Sequence, residues 1–389
     1  MNRREIIKLT LAGAVTMGIA THPILSLAQS GGPIKIGVLI PQSGPAGLFG
    51  PASVNSAQLA AQEINAAGGI LGRSIELVFA DVGGPPADAI QAANRLWRGE
   101  GVEAFIGMHD SAVRGALTGL FKGQVPYIYT SVYEGGECSP GTYVLGETPA
   151  QQLEPVIPWL ANNEGASKWY LIGNDYNWPR DTNAAAKEYI KASGGSVVGE
   201  EYLPFTTDNC DSSLSAIRSS GADAVLVTLV GGASVGFNRS FASFGLPNQA
   251  LRVGTLIEEN TLAGIGAENS ARLFSSSGYF ANVDNPSAKA FATSYGAEFG
   301  ADAPALNSLS QSVYEGLLFF NALAEKADST AVAKMDEAAE GTTFDSPRGS
   351  SMMENRHLAR DVYLAKADGS NFEIVATFNN VASGVTCSD

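Results

Sequence analysis

Short apolar runs alternate with amphipathic stretches along most of this chain, and no other feature of the sequence constrains the fold as strongly. In the first half, the apolar runs lie at 34–40, 75–80, 104–107 and 127–129, with helical patterns at 53–66, at 87–98 and from Ser111 onward. Strands that alternate with helices of about 10–15 residues are typical of βαβ units. The pattern therefore predicts a parallel sheet.

The alternation begins again after residue 150. Apolar runs at 169–172, 197–198, 224–230 and 361–365 accompany helical patterns at 181–191 and 212–219. The break falls near Pro149, which disfavours a continuing helix before it. Two series of similar length predict an α/β fold of two doubly wound parallel-sheet lobes.

The boundaries of the two lobes follow from where each series begins and ends. The first lobe is expected to contain 33–148, and the second 149–278. Long helical patterns at 286–299 and 308–326 are expected to return to the first lobe. We therefore assign about 279–345 to lobe 1 and about 346–386 to lobe 2, with a multi-strand hinge between them.

Residues 1–28 have the pattern of an export signal. Arg3, Arg4 and Lys8 precede an apolar stretch that ends at Ala20, and small residues at 26 and 28 precede a plausible cleavage point. This arrangement is typical of a secretory signal, and the paired arginines favour the twin-arginine export machinery. The apolar stretch is too short for a typical membrane span. We expect a periplasmic, soluble product.

Net charge excludes some classes of partner. The full chain has a formal charge of −15 and the segment 1–28 contributes +2, which leaves −17 after cleavage. Such an acidic protein is not expected to bind nucleic acid or an anionic membrane surface.

The cysteine and histidine content argues against a metal site. Cys138, Cys210 and Cys387 allow one disulfide and one remaining thiol, and their positions do not show which pair forms. Only His109 and His357 follow residue 28, and no clustered ligand spacing such as CxxC or HExxH is present. We predict no metal, no catalytic residue and no cofactor.

Polar and aromatic residues follow the predicted strands. In parallel sheets, ligands bind beyond the carboxyl ends of the strands, where the N-termini of helices present free N–H groups. The turns in question lie at 41–50, 108–111, 129–135, 173–180 and 230–234. Their Ser, Thr and Tyr side chains can donate hydrogen bonds, and their aromatic faces can pack against a small solute.

Five segments also occur in an order that is typical of one protein family: IKIGVLIPQSGPAGLFG, AAQEINAAGGILGRSIELVFAD, YEGGECSP, GNDYNWPRDTN and ENRHLARDVYLAKADG. With them the chain resembles the type I periplasmic binding proteins of the leucine/isoleucine/valine family. The YEG and DYxxPR motifs resemble more narrowly the branch that binds short-chain amides and urea. The resemblance implies a solute-binding component of an ABC importer, which closes by hinge motion over a small polar solute and is recognised by a membrane permease.

The same resemblance implies a set of ligand contacts. By position they fall on Phe49, His109, Ser111, Tyr129, Ser131, Tyr133, Tyr176, Gly232 and Glu258. Other interpretations remain open for several of them. Ser111 fits a helix N-cap, Tyr129 a buried strand residue, His109 a core histidine, and Glu258 and Glu259 solvated loop charges. Asp175 fits a local pair with Arg180 or a helix cap better than a ligand contact.

Two positions depart from the amide and urea pattern. His109 stands where the branch commonly has an aromatic residue, and Val132 replaces a proline before Tyr-Glu-Gly. A branched-chain or other amino acid is therefore an alternative ligand, and its ammonium group would need a carboxylate from Asp110, Asp175 or Glu258.

Two other functions also remain open. A ligand-sensing receptor component without transport would have the same lobes. In addition, Gly232, Ser234 and Gly236 match the GxSxG motif of serine hydrolases, and Asp345 and His357 follow in the order acid, then histidine. No HGGG-type motif accompanies them, and so short a pattern often arises by chance.

Overall fold

The structure is a computed structural model that describes residues 31–207 and 209–387. The predicted signal at 1–28 lies outside these residues. The strands, in chain order, are β1 (Ile34–Ile40), β2 (Ile75–Asp81), β3 (Ala104–Gly107), β4 (Tyr127–Tyr129), β5 (Thr142–Val144), β6 (Lys168–Asn174), β7 (Ser196–Leu203), β8 (Ala224–Thr228), β9 (Leu251–Gly254), β10 (Leu273–Ser277), β11 (Thr343–Ser346), β12 (Gly349–Glu354), β13 (His357–Leu358), β14 (Arg360–Asp368) and β15 (Asn371–Val381).

Two larger sheets confirm the predicted α/β fold. The first has the strand order β2-β1-β3-β4-β5 and is parallel throughout. The second has the order β15-β14-β10-β9-β8-β6-β7. It is parallel except for β14 and β15, which pair in antiparallel fashion at one edge. Strands such as β3 and β8 are buried along their whole length because helices cover both faces of a parallel sheet.

The helices are α1 (Gly50–Ala66), α2 (Pro86–Asn94), α3 (Ser111–Phe121), α4 (Pro149–Gln152), α5 (Val156–Glu164), α6 (Asn177–Ala192), α7 (Asp211–Ser220), α8 (Gly231–Ser243), α9 (Glu259–Ile265), α10 (Pro286–Phe299), α11 (Ser308–Ala327) and α12 (Val332–Ala339). The long helices α10 and α11 pack against α1, beside the first sheet. A small antiparallel sheet, β11-β12-β13, follows them, and its strand β11 packs against α11.

Several helix and strand ends differ from the sequence expectation. Helix α6 begins at Asn177 rather than at residue 181, because Pro179 lies in the first turn, where a missing N–H group is tolerated. Strand β8 ends at Thr228 rather than at residue 230, because Val230 is the N-cap of α8. Helix α2 ends at Asn94, and a π-helical turn, Arg95–Gly99, completes the segment.

The chain passes between the two large sheets three times, and charged side chains meet at these passages. Glu147 follows β5, Arg348 lies in the turn between β11 and β12, Arg360 begins β14, and Glu315 comes from α11. We call these four residues the crossover cluster. Arg348 donates to Glu147, and its Nη2 lies 3.0 Å from Glu315 Oε2, while Arg360 Nη1 lies 3.4 Å from the same oxygen. The backbone N–H of Gly278, just after β10, also donates to Glu147 Oε1, at 3.1 Å. One cluster therefore joins all three passages.

Burial makes the crossover cluster sensitive to the loss of any member. Its side chains are at most 4% exposed. Burial alone would raise the pKa of Glu147, but the charges of Arg348 and Arg360 lower this pKa below its ordinary value. Glu147 therefore remains ionised, and each charge depends on its partners.

Cys138 and Cys387 form a disulfide, with their Cα atoms 5.5 Å apart. Cys210 is a buried free thiol. The pairing that the sequence left open thus ties the segment after β15 to the loop after β4. Between β15 and Cys387, the Ser383 carbonyl accepts a hydrogen bond from Thr148 Oγ1 at 2.7 Å.

We expect Arg348→Ala to lower the free energy of unfolding by about 3–5 kcal/mol, because it leaves buried carboxylates with one arginine fewer. Urea denaturation measures the change. The matched control is Arg95→Ala, whose ion pair with Glu100 is largely exposed and should contribute less than about 1 kcal/mol. Equal effects of the two substitutions would contradict a structural role for the crossover cluster.

Candidate functional site

The carboxyl ends of strands from both sheets face one another across a cleft. The turns after β1, β3 and β4 lie on one side, and those after β6 and β8 lie on the other. The cleft contains two adjoining cavities of about 40 and 310 Å³. Pro41, Ala46, His109, Asp110, Tyr176 and Val230 line both of them. The turns at the carboxyl ends of the strands, which the sequence analysis selected, therefore line the cleft.

The smaller cavity is mostly apolar. Its further lining residues are Phe49, Met108, Ser111, Ser131, Val132, Trp178, Leu256 and Leu309. Among the predicted contacts, Phe49, His109, Ser111, Ser131 and Tyr176 are thus brought together around one space. Ser111 and Ser131 supply hydroxyl groups on the side of the first sheet, and Tyr176 faces them from the side of the second.

Helix α3 begins at the edge of this cavity. Its N-cap is Asp110, whose Oδ1 accepts a hydrogen bond from the Val113 N–H at 2.8 Å. Ser111 is therefore the first helical residue rather than the cap. Its Oγ accepts a hydrogen bond from Arg114 Nη1 at 3.2 Å. Because an arginine can only donate, the Ser111 O–H proton remains available to donate to another acceptor.

His109 is both a buried histidine with hydrogen-bond partners in the protein and a residue of the cavity lining. Its Nδ1 lies 3.1 Å from the Asp110 carbonyl oxygen, and its Nε2 lies 2.9 Å from the Tyr127 hydroxyl. Since a carbonyl only accepts, Nδ1 carries the proton and Nε2 accepts from Tyr127. Burial lowers the pKa of His109 to about 4, so the ring that lines the cavity is neutral.

Tyr129 and Tyr133 are buried behind the cavity and are absent from its lining. The Tyr129 hydroxyl donates to the His109 carbonyl at 2.7 Å, and the Tyr133 hydroxyl bonds His357 Nε2. Both rings also lie against Arg114, whose guanidinium carbon is 5.3 Å from the centre of Tyr129 and 4.7 Å from that of Tyr133. Their observed contacts support the loops that carry Ser111 and Ser131.

Gly232 and Glu258 also contact protein groups. The Gly232 N–H donates to the Pro45 carbonyl across the cleft at 3.2 Å. Glu258 caps α9 and accepts from the N–H groups of Asn260 and Thr261 at 2.8 and 2.7 Å. It is 2% exposed, so the expectation of a solvated loop charge was wrong for this residue. Burial raises its pKa, and burial raises the pKa of Glu259 to about 8.

Asp175 pairs with Arg180, as the sequence suggested. Its Oδ1 accepts from Arg180 Nε at 2.8 Å and from Nη2 at 2.6 Å. Both side chains are about half exposed. Of the three carboxylates considered as partners for a ligand ammonium group, only Asp110 lines the cavities.

Direct contacts hold the two sides of the cleft together. Besides the bond from Gly232 to Pro45, Asn177 Nδ2 at the start of α6 donates to Glu134 Oε1 at 2.8 Å. Gly231 has a φ of +52°, and a Cβ atom there would lie 2.0 Å from the Pro45 carbonyl oxygen. Glycine is thus required for both the backbone conformation and the close approach. The structure has a closed cleft.

The residues of the hydrolase alternative do not come together. Ser234 is fully buried within α8, where its hydroxyl contacts Asn238. His357 bonds Tyr133 and the Asn355 carbonyl, and Asp345 lines a separate cavity beside α11. The order along the chain is therefore not matched by a spatial triad.

Sequence reasoning missed several residues of the cleft. Leu309 lines the cavity, and Arg114 contacts Ser111. Trp178 also lines it, in a turn that the sequence selected without a specific prediction for this residue. Arg114 could have been found, because residues three apart share one face of a helix. Leu309 gave no local signal, since it reaches the cavity from a helix almost 200 residues after Ser111 in the chain.

Residues 33–371, most of the chain, match the family described as periplasmic binding protein. The chain belongs to this family. It is 27% identical to the Leu/Ile/Val-binding protein homolog 6 of Brucella melitensis over 372 residues, which cover 91% of this chain and 93% of the relative. Among the residues that the structure describes, no helix is both long and apolar enough to span a membrane.

Solved structures have the same fold. One is a solute binding protein of an ABC transporter from Rhodopseudomonas palustris HaA2 in complex with p-hydroxybenzoic acid, with a TM-score of 0.82 and 26% identity over 90% of this chain and 98% of that chain. Another is the branched-chain amino acid substrate binding protein of Streptococcus pneumoniae in complex with isoleucine, with a TM-score of 0.78 and 21% identity over 89% of this chain and 99% of that chain.

The neutral His109 predicts a pH dependence of stability. As the pH falls from about 6.5 to about 4, the unfolded chain binds a proton at this residue that the folded protein does not. The free energy of unfolding should therefore decrease over this window, by up to about 3 kcal/mol from His109. In His109→Gln this slope should be smaller, as measured by urea denaturation between pH 4 and pH 7. His357 is present in both proteins, so its contribution cancels, and equal slopes would contradict the assignment.

Proposed function

We propose that this protein is the extracytoplasmic solute-binding component of an ABC importer. A small solute binds in the cleft, the two lobes close over it by hinge motion, and the closed form is recognised by a membrane permease. The observation that carries the proposal is a cavity enclosed between two sheets, with two serine hydroxyls and a helix N-terminus at its edge. Family membership and the HaA2 solute binding protein support it.

The proposal includes the predicted domain organisation and export. Residues 33–148 with about 279–345 form lobe 1, and 149–278 with about 346–386 form lobe 2. The segment 1–28 directs export to the periplasm, and its paired arginines are recognised by the twin-arginine export machinery.

The chemistry of the cavity favours a small carboxylic acid with an apolar or aromatic body. Phe49, Trp178 and Leu309 offer apolar surface. A ligand carboxylate can accept hydrogen bonds from Ser111, Ser131 and the N-terminus of α3. Urea or a short amide, the class that the sequence motifs suggested, has little or no apolar body to pack against this lining. The p-hydroxybenzoic acid bound to the HaA2 relative is a ligand of the favoured kind.

An amino acid ligand is the second candidate, supported by the similarity to Leu/Ile/Val-binding protein homolog 6. Its ammonium group needs an available carboxylate. Glu258 caps α9, Asp175 pairs with Arg180, and Asp110 uses one oxygen to cap α3. Asp110 is thus the remaining partner, and burial raises its pKa. The geometry therefore favours an acid without an ammonium group.

We propose Phe49, His109, Ser111, Ser131 and Tyr176 as ligand contacts, since all five line the cavity. Tyr129, Tyr133, Gly232 and Glu258 stay predictions as direct contacts.

A thermal-shift screen of the protein without residues 1–28 tests the proposed function. The solutes are p-hydroxybenzoate, isoleucine, acetamide and urea. A ligand at 100 times its dissociation constant adds about 2.7 kcal/mol of stability, which raises the melting temperature measurably. We expect a shift with p-hydroxybenzoate. A shift only with isoleucine would favour the amino acid alternative, and one only with acetamide or urea would favour the amide branch. No shift with any solute would contradict the proposed ligand classes.

Ser111→Ala should weaken binding of the solute found in the screen by about 1–3 kcal/mol, because a buried hydrogen bond to the ligand is lost. Isothermal titration calorimetry measures the change. Ser215→Ala, at an exposed position of α7 far along the chain from the cleft turns, is the matched control. Unchanged affinity in Ser111→Ala would leave Ser111 with only its contact to Arg114.

A further inference from the structure

The motifs YEG and DYxxPR, which the ligand proposal uses only through their tyrosines, meet in the folded protein. Glu134 of the first motif accepts a hydrogen bond from Asn177 of the second, 43 residues later, at 2.8 Å. Glu134 follows the first sheet's strand β4, and Asn177 begins α6 after the second sheet's strand β6. This bond therefore spans the cleft.

Glu134 is held in place by Arg114, a residue on its own side of the cleft. Arg114 Nη2 donates to the same oxygen, Oε1, at 2.7 Å, and Arg114 Nε donates to Glu137 at 3.2 Å. The side chains of Arg114 and Glu134 are 8% and 9% exposed. Burial alone would lower the pKa of Arg114, but its carboxylate partners raise it, so the guanidinium is permanently charged. The acceptor for Asn177 is thus a fixed, partly desolvated carboxylate, which is a strong hydrogen-bond acceptor.

The same arginine also contacts a residue that lines the solute cavity. Its Nη1 donates to Ser111 Oγ, the hydroxyl at the cavity edge. A continuous series of hydrogen bonds therefore runs from Ser111 through Arg114 and Glu134 to Asn177 on the opposite side of the cleft. Arg114 is therefore bonded both to Ser111, the proposed solute contact, and to Glu134, which bonds across the cleft.

We propose that Glu134 and Asn177 form a closure latch, a pair of positioning residues that retains bound solute by stabilising the closed cleft. The latch deepens the proposed function and rests on it, since it assigns a role to closure. Neither residue lines the two cavities of the cleft. Breaking the latch should therefore speed solute release while leaving solute entry nearly unchanged.

Asn177→Asp breaks the latch with little effect on folding. It replaces the amide donor by a carboxylate that faces Glu134, and an acidic residue in the first turn of a helix is otherwise favourable. With p-hydroxybenzoate as the probe, or whichever screened solute binds the wild type, we expect the dissociation constant to rise about tenfold or more. Stopped-flow measurements should assign this change to the dissociation rate.

A donor–acceptor exchange is the decisive control. In wild type, one oxygen of Glu134 serves both Arg114 and Asn177. In the double variant Glu134→Gln with Asn177→Asp, rotation of the terminal amide lets its nitrogen donate to the new carboxylate while its oxygen accepts from Arg114. Affinity should recover to within about threefold of the wild type if the hydrogen bond is what matters. Asn209→Asp, an exposed change just before α7, controls for added negative charge near a helix start.

Small-angle X-ray scattering without solute supplies a readout that does not need a ligand. The contacts across the cleft need no solute, so part of the solute-free population is expected to be closed. We therefore expect a larger radius of gyration for Asn177→Asp than for the exchanged double variant. If Asn177→Asp and the double variant have equal radii of gyration and equal dissociation rates, the latch is overturned. If no screened solute binds the wild type, the proposed ligand classes fail, and equal radii alone would then overturn the latch.

Discussion

The crossover cluster is the constraint on which the rest of the structure depends. Two carboxylates and two guanidinium groups are buried where the chain passes between the sheets, and a buried charge is tolerated only beside its partner. Glu147, Arg348 and Gly278 must therefore meet whenever the chain folds, which brings three distant segments to one place. The relative position of the sheets, and with it the cleft, follows from that meeting.

Parallel sheets then determine what the cleft contains. Because the carboxyl ends of their strands face the same gap, it is lined by turn residues and helix N-termini rather than by strand interiors. The apolar lining comes from elements that these turns bring together. The polar groups are few, namely His109, Asp110, Ser111, Ser131, Tyr176 and the start of α3. Such a site suits capture and release of a solute, and it contains no arrangement of Ser234, Asp345 and His357 that could act as a hydrolase.

Most of the fold could be predicted from the sequence, and part of the site. The apolar runs predicted β1 to β4 of the first sheet and β6, β7, β8 and β14 of the second, because buried strands are rich in apolar residues. Strands β5, β9, β10 and β15 were not predicted. The position after strands selected the turns that carry Phe49, Ser111, Ser131 and Tyr176, and the family resemblance selected these residues, which line the cavity. The alternative interpretation of Glu258 as a solvated loop charge was wrong, because a lone glutamate in a turn does not show whether the next helix will use it as a cap. No local sequence pattern indicated that Leu309 lines the cavity or that Arg348 pairs with Glu147, since their partners are far away in the chain.

The sequence by itself determined the βαβ alternation, the family and the turns that form the cleft, because these depend on local periodicity and on motifs of adjacent residues. Only the tertiary structure decided which cysteines pair, which charges are buried together and which side chains face the solute. The bond between Glu134 and Asn177 belongs to this second group. Both residues lie in recognisable motifs, yet their meeting depends on how two sheets are held across a cleft, which no local pattern encodes.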